Sequence, residues 1–105
     1  MAEVDRLIMD KVRAFLTRLE ARGIRVERAY VFGSYARGSA GEWSGIDVAV
    51  VSRDVGYDRF EELARLMSIA STIDTRIEPV PFRPDTFVDE DPLAWEIKRN
   101  GVELS

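Results

Sequence analysis

From Val4 to Leu19 the apolar residues Val4, Leu7, Ile8, Val12, Phe15, Leu16 and Leu19 recur at steps of three and four, the spacing of one helical face. Gly23, suited to a left-handed backbone, closes this predicted first helix, with Arg18 and Arg22 near its negative end. The pattern then changes. Arg25 to Phe32 and Ile46 to Ser52 predict two strands, and the run VAVV in the second suits a strand covered on both faces. The twelve residues SYARGSAGEWSG between them leave room for at most one helical turn. Asp58 to Ile73 predicts a second long helix, capped by Asp58, with Phe60, Leu63, Leu66, Met67 and Ala70 on its apolar side.

Arg76 to Phe82 predicts a third strand. Pro79 and Pro81 stand two apart, so their missing N–H groups fall on one side, which cannot pair fully. That places the strand at a sheet edge, paired through Glu78, Val80 and Phe82. Asp91-Pro92 reads as a cap followed by proline in the first helical turn, opening PLAWEIKRN, and Gly101 ends it before a short VEL. The order helix, strand, strand, helix, strand, helix predicts an α/β (α+β) fold, with helices packed on a small mixed sheet, in a single domain over residues 1–105.

Composition narrows the chemistry. With 46% hydrophobic residues a core is affordable without staples, and with no Cys and no His there is neither thiolate nucleophile nor imidazole base. Carboxylates and hydroxyls remain, the ligands of hard cations such as Mg²⁺. A net charge of −4 argues against direct nucleic-acid binding, whose main sequence-independent term is phosphate neutralisation. No apolar run is long enough to span a bilayer, and charges throughout the first fifteen residues interrupt any signal-like core, so the expectation is a cytoplasmic protein. Self-association through the free side of the third strand or the first helix is left open.

The chemistry concentrates in FGSYARGSAGEWSGIDVAVV, from Phe32 to Val51. Gly33, ending a strand, lets backbone N–H groups approach a phosphate, and the Ser34 hydroxyl beside it can donate to a phosphoryl oxygen. Residues two apart on a strand share a face, so Asp47 points the same way as position 45, which is glycine. Taken alone, Gly33-Ser34 is an ordinary turn; Asp47 could be an end-of-strand solvent contact, and Glu78 a charge that blunts an edge. The spacing of Gly33-Ser34 to Asp47 tips the reading of that segment toward a site. Trp43, Trp95 and Tyr57 could stack on a base but suit core or interface better, and Asp89, Glu90 and Asp91 suit a solvated helix start.

These residues resemble the minimal nucleotidyltransferases (MNT) of the polymerase β-like superfamily, whose signature is Gly-Ser, a spacer, Asp-x-Asp and a third acid on a later strand. Gly33-Ser34 is followed by ten residues and then Gly45-Ile46-Asp47, GSYARG matches the family's Gly-Ser-x-Ala-Arg-Gly form, and Glu78 takes the third position. The resemblance implies the antitoxin half of a toxin–antitoxin module whose partner is a HEPN-domain ribonuclease. It also implies a reaction, transfer of AMP from ATP to a tyrosine of that toxin with Mg²⁺. Carried over residue by residue, Gly33, Ser34 and Arg37 would bind nucleotide, while Asp47 and Glu78 would bind metal and act catalytically. Where the family has its first Asp this chain has Gly45. That departure predicts impaired transfer, with Glu42 as a nearby substitute acid, and keeps open an inactive antitoxin that neutralises its toxin by binding alone.

Overall fold

The computed structural model describes residues 5–41 and 44–104; Val4, Glu42 and Trp43 lie outside the described residues. The elements run α1 (Arg6–Ala21), β1 (Arg28–Phe32), α2 (Ser34–Arg37), β2 (Ile46–Val51), α3 (Arg59–Ala70), β3 (Ile77–Phe82), α4 (Pro92–Asn100) and β4 (Val102–Glu103). The four strands form one mixed sheet in the order β3-β2-β1-β4. β1 is antiparallel to β2 and β4, and β2 is parallel to β3 across the α3 connection.

Strand alternation sorts the side chains onto two faces. Val31, Ile46, Val48, Val50 and Ile77 pack with Ile8, Val12, Phe15 and Leu19 of α1 and Leu66, Ile69 and Ala70 of α3. On the other face Tyr30, Ala49, Val51 and Phe82 pack with Phe87 and with Ala94 and Ile97 of α4. β2 is therefore covered on both sides, as its unbroken apolar run requires. β3 is an edge strand. Ile46 and Ser52 donate to the carbonyls of Arg76 and Phe82, so the even-numbered residues of β3 face β2 and the imide nitrogens of Pro79 and Pro81 face outward.

The caps follow the chemistry of the terminal residues. The Asp58 carboxylate accepts from the Glu61 N–H, and Asp91 accepts from Leu93 and Ala94 with Pro92 just inside the helix. Asp5 caps α1 by accepting from Leu7, and Gly23 adopts φ +83°.

Two expectations about faces fail. α3 buries Glu62, Leu66, Ile69 and Ala70, whereas Phe60, Leu63 and Met67 are exposed. The helix carries two apolar stripes, and the one continued by Ile73 meets the sheet. On α1, Leu7 likewise points to solvent beside the buried Ile8. The VEL segment, read only as a tail, supplies β4, in which Val102 and Glu103 pair with Val31 and Tyr30.

Candidate functional site

Phe32, Asp47 and Glu78 stand side by side across β1, β2 and β3. All three belong to the sheet face that α4 covers, because Phe32 and Val80 pack against the cluster on that side. α4 covers the half of the face built from Tyr30, Ala49 and Val51, leaving the row that contains Asp47 at the rim. The two carboxylates that the resemblance singled out, Asp47 and Glu78, are thus neighbours.

Gly33 fixes the turn over this rim. Its φ of +72° and ψ of −146° suit only glycine, and a Cβ there would collide with the Asp47 carboxylate, lying 3.2 Å from its Cγ. The backbone therefore presses directly against the acid. Arg37 donates its N–H to the Gly33 carbonyl, the first hydrogen bond of α2, so the N–H groups of Ser34, Tyr35 and Ala36 precede the helical ladder. Gly38, at φ +73°, ends the turn.

Electrostatically, Asp47 is under load. Its burial, the adjacent charge of Glu78 and a hydrogen bond between the two carboxyls push its pKa up to about 6, against a pull downward from the Arg37 guanidinium. A proton held between close carboxyls relieves their repulsion, and a cation placed there would do the same. Arg37 makes no ion pair among the described residues, so its charge is available to the rim.

A cavity of about 350 Å³ opens beside Asp47, lined by Phe32, Gly33, Ser34, Arg37, Asp47, Leu93, Glu96 and Asn100. Its wall from α4 was not expected from the sequence. Leu93, Glu96 and Asn100 are spaced three and four apart and so share a helical face, but no sequence signal tied that face to the Gly-Ser turn. Glu78 lies on the other side of Asp47, outside the lining.

Among the described residues no third acid joins Asp47 and Glu78 in a cluster able to hold a metal ion. A Mg²⁺ carried by phosphates needs only one or two protein carboxylates, completing its shell with phosphate and water, and the donor set here fits that requirement. Gly45 donates nothing. Trp95 is half-exposed under Arg99, and Tyr57 is exposed beneath Arg83, so neither belongs to this cavity.

A smaller cavity of about 100 Å³, lined by Val55, Gly56, Tyr57, Arg59, Pro81, Arg83 and Thr86, lies toward the other end of β3. Its Arg83 is already engaged with Asp85 and the Arg53 carbonyl. No described helix is long and apolar enough to cross a membrane.

A family model for the nucleotidyltransferase domain matches residues 9–99. Among solved structures, a toxin–antitoxin complex crystallised with AMP-PNP is similar at a TM-score of 0.62 and 24% identity, over 91% of this chain and 71% of that one. A toxin–antitoxin MntA-HpeT mutant, with two aspartates two positions apart exchanged for glutamate, is similar at 0.61 and 23% identity, over 89% and 71%. A structure from Sulfolobus solfataricus assigned to the nucleotidyltransferases follows at 0.53 and 21%, over 98% and 89%. At these identities the likeness is one of fold. No curated protein matches the chain.

Proposed function

We propose, from the premise that the chain belongs to the nucleotidyltransferase domain family, that it is an MNT-type antitoxin which binds Mg²⁺–ATP at the Gly33-Ser34 rim and transfers AMP to a tyrosine of a HEPN-domain toxin. The observation that carries this reading is Asp47, held between the Gly33 backbone on one side and Glu78 on the other, at the mouth of a cavity of ligand size. A half-buried acid held against a second, exposed carboxylate is costly to keep charged and suits a cationic ligand. The solved neighbours that are toxin–antitoxin complexes, one of them with AMP-PNP, support the choice of partner and nucleotide.

In this reading the N–H groups of Ser34 and Tyr35 and the Ser34 hydroxyl hold the β- and γ-phosphates, and Arg37 offsets their charge. Asp47 and Glu78 would hold Mg²⁺, whose charge would offset that of the phosphates. The tyrosine oxygen forms a bond to the α-phosphorus, the bond from that phosphorus to the bridging oxygen breaks, and pyrophosphate leaves with the electron pair. The tyrosine proton passes to a carboxylate of the pair. Leu93, Glu96 and Asn100 supply the wall of the cavity that comes from α4.

A second reading, neutralisation by binding alone, is favoured by one feature: two carboxylates stand where the family has three. Incubating the protein with its toxin, ATP and Mg²⁺ and examining the toxin by mass spectrometry separates the two. An AMP adduct on tyrosine, lost in Asp47→Asn, supports transfer. A neutralised toxin without adduct supports binding alone.

A further inference from the structure

Glycine at position 45 has no conformational reason to be there. Among the described glycines only Gly23, Gly33 and Gly38 take a positive φ, and Gly45 is not one of them. What the missing side chain provides is space, and the space is filled. A Cβ built on Gly45 would fall 2.5 Å from Cδ and 2.8 Å from Oε1 of Glu78, closer than real contacts allow, with the other carboxylate oxygen nearer still. Gly41 and Gly23, by contrast, face open space. The Glu78 carboxylate therefore lies over position 45, while its backbone pairs with Asp47.

We propose that Gly45 is a seat for Glu78: by lacking a side chain it lets the longer acid of β3 fold over β2 and stand in for the carboxylate that the position itself lacks. Gly45 and Glu78 are then one positioning unit. Glu78 reaches over because glutamate is one methylene longer than aspartate, and Gly45 leaves it room. This rests on the reading of Asp47 and Glu78 as holders of a nucleotide-bound cation, and it reverses the simple expectation for the site. An acid introduced at position 45 displaces Glu78 instead of completing the set.

Manganese binding, followed by electron paramagnetic resonance in the presence of a non-hydrolysable ATP analogue, tests this in wild type, Gly45→Ala, Gly45→Asp and Glu78→Asp. Gly45→Ala is expected to weaken binding roughly tenfold, the scale of a lost orienting partner. Glu78→Asp, which keeps the charge but leaves the seat empty, is expected to do the same, and Gly45→Asp is expected not to tighten binding. The Glu78 side chain is exposed, so a displaced carboxylate meets solvent and not the core, and thermal melts of all three variants should stay close to wild type. Tighter binding in Gly45→Asp, or unchanged binding in Gly45→Ala, overturns the seat while leaving the nucleotide site intact. Wild-type protein that binds neither manganese nor the analogue removes the site, and the seat with it.

Discussion

Replacing Asp47 by Asn should stabilise the protein, and should do so only where Asp47 is charged. The carboxyl is raised from an ordinary 3.8 to about 6 by its burial and by Glu78. The folded state therefore holds a proton that the unfolded chain releases, so the favourable contribution is complete below the ordinary value and declines as pH rises from about 4 to about 6. Above that the ionised carboxylate is a constant burden, about 3 kcal/mol if unscreened. Asp47 is only partly buried, so solvent screening reduces this to ~1 kcal/mol. Asparagine removes the charge yet still donates to Glu78. For a domain of this size ~1 kcal/mol corresponds to a rise of ~5 °C in Tm. Thermal denaturation by circular dichroism, without divalent cations, should show that rise at pH 7.5 and show it shrinking as pH falls to 4. An Asn variant no more stable than wild type at pH 7.5, or a gap independent of pH, refutes the account of a strained pair.

The same proton sets the pH response of ligand binding. Below about pH 6 a cation must displace it from Asp47, so Mg²⁺–ATP affinity should fall with acidity by at most tenfold per unit, and calorimetry in buffers of different ionisation enthalpy should detect proton release at pH 5.5 and none at pH 8. Gly33→Ala combines a forbidden backbone conformation with a collision at Asp47; urea denaturation should report a loss of about 2–3 kcal/mol. Ser34→Ala should weaken ATP binding roughly tenfold by calorimetry, the worth of a hydrogen bond to a charged group, with Tm unchanged.

Much of the fold was legible because local chemistry and periodicity agreed. The helix caps at Asp58 and Asp91 are where short acids precede apolar runs, and the paired prolines placed β3 at the edge before any partner was known. α3 was harder. Phe60, Leu63 and Met67 are as periodic as Leu66, Ile69 and Ala70, and period alone cannot say which of two stripes meets the sheet. β4 is two residues long and exists because β1 offers it a partner. A strand that short has no signature of its own.

The site divides along the same line. Gly33, Ser34 and Asp47 lie within one hairpin-like segment, so spacing could bring them together; Glu78 came only from the family resemblance, and the parallel pairing of β2 with β3 sets it beside Asp47. Leu93, Glu96 and Asn100 join them only through the packing of Ala94 and Ile97 on the sheet, a tertiary event that leaves no mark in local sequence. Gly45 shows the deeper limit. Read along the chain, a glycine at a ligand position is a subtraction, because a sequence displays each residue's own side chain and not the volume its absence releases. In three dimensions that volume belongs to whichever neighbour can reach it, and here a glutamate from the adjacent strand does. Whether a ligand position has been lost or handed over is therefore a property of the pair, Gly45 with Glu78, which lie 33 residues apart in the chain and against each other in the fold.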